Sequence, residues 1–133
     1  MRGRKPNEIA PGSSVLMEAP KPPAHLAPDA KREWKRIAPI LVERGVLTGA
    51  DLGILESYCT AFARMREAER TIAREGVTFL NARGEHKRHP ASGIQNESIK
   101  TMRLCANELG LTPVSRSRSN FKTDDGDDSS LDF

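Results

Sequence analysis

One uninterrupted helical pattern, from Thr48 to Gly76, constrains the architecture of this chain more than any other feature. Thr48 stands three residues before Asp51, a short variant of the capping box. Asp51 also places negative charge at the positive end of the helix dipole. Leu55, Tyr58, Phe62, Met65 and Ile72 follow at helical spacing with Cys59 beside them, and Gly76 is the stop. A helix of roughly 25 residues is about 37 Å long. Such a helix is long for a small domain and suits a spine or a contact between copies. Arg64, Arg66, Arg70 and Arg74 alternate with Glu67, Glu69 and Glu75. That mixture predicts an exposed, salt-bridged face and not a dedicated phosphate ladder.

Two further helices flank it. The first is predicted over Pro28 to Arg44: Ala30, Trp34, Ile37 and Leu41 make one apolar face, and Lys31, Arg32, Lys35 and Arg36 lie opposite. Pro28 fits a first helical turn and Gly45 a stop, whereas Pro39 should kink or split the helix. The other is predicted over Ser92 to Leu109, with Ile99, Met102, Ala106 and Leu109 as its stripe and Cys105 adjacent. Gly110 followed by Leu111 fits a Schellman end, and Thr112 and Pro113 prevent continuation. Between the long helices, Val77 and Phe79 alternate with polar residues and Asn81–Gly84 is turn-like. A small hairpin or extended loop is expected there, ended by Pro90. The fold class is therefore mainly α: a small helical domain of long antiparallel helices with one short hairpin or loop.

The ends differ in kind. Residues 1–24 contain Pro6, Pro11, Pro20, Pro22 and Pro23 and read as a flexible basic arm carrying Arg2, Arg4 and Lys5. Residues 25–116 are the helical domain. Residues 117–133 read as a disordered tail, where Arg118 and Lys122 face five aspartates, a balance of −3. Since the whole chain carries +3, its other residues carry +6. A basic body with an acidic tail suggests a polyanionic partner for one and a different partner for the other. Only about 85–90 residues remain to build a core, which is marginal alone and favours oligomerisation. Cys59 and Cys105 fall on apolar helix positions and read as small core residues in a reducing compartment. With no signal peptide and no stretch of 18 apolar residues, a soluble intracellular protein is expected.

Catalytic chemistry finds no constellation here. His25, His86 and His89 lack paired cysteines or metal-spaced carboxylates, so no metal is expected. No lysine follows a glycine, so there is no phosphate-cradling P-loop, and no G-x-S-x-G elbow occurs. The aspartates at 124–128 lack the arrangement of glycine and terminal glutamate that an EF-hand loop needs. Trp34 and Tyr58 could stack on a base, but both sit on apolar helix faces, which makes them core residues. The expectation is a non-catalytic binding protein without a cofactor.

The ordered series of a Pro-rich arm, HLAPDAKREWKRIAPILVERGVLTGADLGILESYC, a long helix ending at Gly76, a loop reaching His89-Pro90, and a closing LGLTPVSRSR resembles the small terminase subunits of tailed double-stranded-DNA bacteriophages. The resemblance covers about residues 20–118. It implies a ring-like homo-oligomer of about eight to ten subunits that recognises viral DNA for packaging in the host cell cytoplasm. It also implies a large subunit, carrying the ATPase motor and nuclease, that this chain recruits and regulates. Trp34, Leu55, Tyr58, Gly76, Pro90, Leu109 and Gly110 then belong to the scaffold.

For DNA, the candidates are first the α-helical face of Lys31, Arg32, Lys35 and Arg36, second the loop residues Arg83, Lys87 and Arg88, and third the arm residues Arg2, Arg4 and Lys5. Such cations give affinity through phosphates without a sequence signature. Site reading would need bidentate arginine contacts or bending of DNA around a ring. The apolar pair Leu131 and Phe133 marks the tail as a linear motif for the large subunit. Two other readings stay open. A dimeric helix-turn-helix transcription regulator would use the first two helices, although Thr48, Gly49, Ala50 and Asp51 offer no long donors to bases. A protein-only helical adaptor would show no salt-dependent affinity for DNA.

Overall fold

The computed structural model describes residues 14–117. In order these form α1 (Pro28–Glu43), a single 3-10 turn (Gly49–Asp51), α2 (Leu52–Glu75), β1 (Thr78–Leu80), β2 (His86–Arg88) and α3 (Pro90–Glu108). The mainly helical class follows from the sequence pattern. The segment after α2 is a two-stranded antiparallel hairpin pairing Thr78 with Arg88, Phe79 with Lys87 and Leu80 with His86.

Caps fix where each helix begins and ends. The Thr48 backbone N–H and hydroxyl both donate to Asp51 Oδ2, at 3.0 and 2.9 Å, which anchors the entry to α2. Gly45 adopts φ 69° after α1, and the Val46 N–H reaches back to the Leu41 carbonyl at 3.1 Å. Gly110 repeats this after α3 with φ 73°, and the Leu111 N–H donates to the Ala106 carbonyl at 2.8 Å. Both are Schellman ends, in which a left-handed residue lets the chain satisfy orphan carbonyls. α3 begins at Pro90 and not at Ser92, because His89 is its N-cap and Nδ1 accepts from the Ala91 N–H at 3.0 Å. Pro90 therefore opens the helix as well as closing the hairpin. Past Gly110 the chain re-enters one helical turn at residues 113–117, where Thr112 Oγ1 accepts from the Ser115 N–H at 3.1 Å.

Pro39 does not split α1, the stronger of the two effects expected from its missing N–H. It lies on the exposed side of the helix, where the carbonyl of Lys35 that loses its donor can be hydrated. The inner face packs Ala30, Trp34, Ile37, Ala38 and Leu41 against Leu47, Leu55, Tyr58, Cys59 and Ala63 of the next segment and Leu109 at the end of α3. This core occupies the end of the molecule where α2 begins and α3 finishes. α2 and α3 continue beyond it as an antiparallel stem closed by small buried residues: Ala61 and Ala68 from one helix, Ala91 and Ser98 from the other. The β-hairpin crowns the far end of that stem.

Residues 14–24, expected as part of a flexible arm, lie against the helices instead. The Leu16 N–H donates to the Leu47 carbonyl at 2.8 Å, and Val15 bridges Thr48. The buried Trp34 indole donates Nε1–H to the Pro20 carbonyl at 2.7 Å. A buried indole N–H requires an acceptor. A proline-rich strand with few N–H groups of its own offers carbonyls free for that purpose. Arg2, Arg4, Lys5, Leu131 and Phe133 all lie outside the described residues.

Candidate nucleic-acid interface

The β-hairpin concentrates unpaired positive charge. Arg83 sits in its turn and Lys87 and Arg88 in its second strand, all exposed. Among the described residues none of the three has a carboxylate within ion-pair distance. The turn is held by Asn81, whose Oδ1 accepts from both the Arg83 and Glu85 N–H groups at 2.9 Å. Asn81 Nδ2 also occupies the one hairpin carboxylate, donating to Glu85 Oε1 at 3.0 Å. Cross-strand partners share a face, so Lys87 projects beside Phe79 and Arg88 on the opposite face beside Thr78. The ribbon thus carries a cation on each face and one at its tip.

The basic face of α1 is organised differently. Arg36 donates Nε and Nη2 to the two carboxylate oxygens of Glu33 at 2.8 and 2.7 Å, a bidentate fork. Glu33 is itself buried at 3% exposure and also accepts from the Tyr58 hydroxyl at 2.7 Å. Arg32 pairs with Asp29, which also receives Arg70 from α2 at 2.7 Å. Only Lys35, exposed, and Lys31, half-buried, have no ion pair among the described residues. Two of the four α1 candidates therefore spend much of their charge on holding α1 to itself or to α2.

The titration shifts agree with this geometry. Hydrogen bonding from Arg70, with Arg32 behind it, holds the Asp29 carboxyl below its ordinary value. The fork with Glu33 pushes the Arg36 guanidinium further up. Burial, then the bond to Glu33, pushes the Tyr58 hydroxyl well above the usual phenol range. Burial likewise raises the Cys59 thiol to about 12, which makes it an inert core residue.

A family model described as the small subunit of phage terminase matches residues 30–126. The chain belongs to the phage terminase small-subunit family. No curated protein and no solved structure matches it. Family membership carries a role in phage DNA packaging, in which small terminase subunits are generally the DNA-recognition partner and not the catalytic one. The match runs from α1 through α3 and into the acidic tail as far as residue 126, further than the sequence resemblance extended. Among the described residues of this family member, no group of three or more histidine, cysteine or acidic side chains is placed to hold a metal. None of its helices there is long and apolar enough to cross a membrane.

The structure brings Arg83, Lys87 and Arg88 together on one element and sets Lys31, Arg32, Lys35 and Arg36 on another. Trp34 and Tyr58 are core residues, at 2% and 7% exposure, and cannot stack on a base. Sequence reasoning overlooked two residues that shape the charge of this small subunit, Asp29 and Glu33, and did not foresee that Glu75 and His89 meet. The Glu33–Arg36 spacing of three was a local signal for a helical pair. Asp29 and Arg32 have the same spacing, whereas Arg70, the other partner of Asp29, and Glu75, the partner of His89, lie on other elements and left no such signal. The α2 face also differs from expectation. Arg70 bonds across to α1, Arg66 lies 5.1 Å above the Phe62 ring, and only Arg74 pairs with a glutamate of its own helix, Glu75.

Proposed function

We propose that this chain recognises viral DNA for packaging and hands it to the large ATPase and nuclease subunit, which it recruits and regulates. The observation that carries the reading is the β-hairpin, which presents Arg83, Lys87 and Arg88 without internal carboxylate partners at the exposed end of a rigid stem. A two-stranded ribbon fits the major groove, which is about 12 Å wide. Entered tip first, it would place Lys87 and Arg88 against the two opposing phosphate walls and Arg83 toward the base edges. The α1 set of Lys31, Arg32, Lys35 and Arg36 is the secondary contact, because Arg32 and Arg36 already hold Asp29 and Glu33. Arg2, Arg4 and Lys5 supply a third, arm-borne contact with phosphates.

Assembly into a ring of about eight to ten copies completes the reading. The core is small. α3 leaves Ile94 and Leu104 at 50% and 67% exposure, and the hairpin leaves Val77 and Leu80 at 60% and 62%. Apolar side chains this exposed on a small helical domain favour burial between copies. The acidic tail at 117–133, with Leu131 and Phe133 as anchors, is the segment offered to the large subunit; deleting it should weaken pull-down of that subunit and leave self-association intact.

The DNA reading is tested by anisotropy of a fluorescent duplex over a salt series. Replacing Arg83, Lys87 and Arg88 with alanine should lower affinity and flatten the logarithmic salt slope by about one per lost phosphate contact. Replacing Lys31 and Lys35 should do less. Equal slopes for wild type and the hairpin variant would remove the hairpin from the interface. Absence of any salt-dependent affinity in the wild type would favour the protein-only adaptor.

A further inference from the structure

An isolated hairpin of two three-residue strands is marginal in water. This one is exposed at every strand residue. Its direction relative to the stem therefore depends on what grips its base, and four contacts converge there on a single residue, His89, three of them on its side chain. The His89 backbone N–H extends the ladder to the Val77 carbonyl at 2.8 Å. Its Nδ1 accepts from the Ala91 N–H at 3.0 Å, capping α3. Its Nε2 lies 2.9 Å from Glu75 Oε1 at the end of α2. Its ring meets Phe79 of β1 edge-on, with centroids 6.2 Å apart at 76°. The side chain is 13% exposed, against 48% for Glu75.

We propose that His89 is the positioning residue of the hairpin, clamping it to both stem helices and so setting the direction in which Arg83, Lys87 and Arg88 meet DNA. The last clause rests on the proposed DNA reading; the clamp itself does not. The Ala91 contact selects a tautomer. Nδ1 can accept from Ala91 only without a proton, so the proton sits on Nε2, where it can be donated to Glu75. Neutral His89 in that tautomer makes both bonds at once. A second proton, on Nδ1, would turn the cap acceptor into a donor facing the Ala91 N–H. The charged groups around the ring are Glu75 and its partner Arg74 on α2 and the neighbouring Lys87 and Arg88 on β2; β1 and the first turn of α3 bring none.

The test uses the full chain and amide hydrogen exchange, with Asn81 as reporter because its N–H bonds the Glu85 carbonyl at the far end of the hairpin. His89→Ala should lower Asn81 protection by about fivefold or more, the scale of losing one cap. His89→Asn restores an acceptor for Ala91, and His89→Gln restores a donor for Glu75, so each should recover part of that loss. Ring nitrogen shifts should report the Nε2–H tautomer. Should His89→Ala fail to fold, Glu75→Ala removes the same clamp from the other side and should lower Asn81 protection in the same way. Unchanged protection in these variants, or an Nδ1–H tautomer, would overturn the clamp. Lower protection with unchanged duplex affinity would overturn its role in presenting the cations. A wild-type chain that binds no duplex would overturn the DNA reading, while the exchange data would still decide the clamp.

Discussion

Removing the Tyr58 hydroxyl should unseat α1 from α2 by a measurable amount. Tyr58 donates at 2.7 Å to a carboxylate that is 3% exposed, so neither group exchanges this bond for water while the protein is folded. A hydrogen bond to a charged partner contributes about 1.5–3 kcal/mol. In Tyr58→Phe the Glu33 oxygen that loses Tyr58 keeps the Arg36 Nη2 bond at 2.7 Å, which points to the lower part of that range, about 1.5–2 kcal/mol. Glu33→Ala should cost at least as much, about 2–3 kcal/mol, because it leaves the buried Tyr58 hydroxyl without its acceptor while the exposed Arg36 guanidinium turns to water. The two losses should not add, since both variants break the same bond. Trp34 is the only tryptophan, is buried, and stands next to Glu33, so its fluorescence during urea unfolding reports α1 docking directly. With an m-value of about 1–1.5 kcal/mol/M, Tyr58→Phe should move the midpoint down by about 1–2 M at fixed protomer concentration. A midpoint within about 0.3 M of wild type, at unchanged slope, would show that the buried network contributes nothing to holding α1.

Other consequences follow from single residues. Asp29 holds its proton less tightly folded than unfolded, so its contribution is complete above the ordinary value of 3.8 and is lost as pH falls through the lower folded value. Asp29→Asn should therefore lack that part of the acid-side loss of stability in urea titrations run at successive pH values. Gly110→Ala should cost about 1 kcal/mol through its φ of 73° alone, because an added Cβ would meet no atom within 4 Å; a neutral result in thermal unfolding would contradict that origin. Cys59, with its thiol raised to about 12 in the core, should resist alkylation until the protein unfolds, while half-buried Cys105 labels first in peptide mapping.

The parts of this fold that the sequence revealed are those governed by neighbouring residues. Thr48 and Asp51, Gly45, Gly110 and Leu111 act within a few positions of one another, and each marked a boundary correctly. The faces of α1 and α2 were legible because apolar spacing of three and four survives any arrangement of the helices. The hairpin was legible as a possibility, and the Asn81 side chain supplies the turn that makes it one. What distance in sequence hid was the pairing of polar groups. Nothing local announces that Trp34 finds the Pro20 carbonyl, that Tyr58 finds Glu33 or that Arg70 finds Asp29. The ranking of candidate DNA contacts changed for a local reason: of the four positive charges on the α1 face, Arg32 and Arg36 are paired with Asp29 and Glu33 three positions away, whereas the three in the hairpin have no ion pair among the described residues.

The packaging role is tested most directly by the native mass of the purified chain, measured alone and with a short duplex. A closed assembly of about eight to ten copies that takes up duplex as a unit is the predicted result. A dimer with no larger species, binding one duplex across its two-fold axis, would contradict the account and favour a helix-turn-helix regulator.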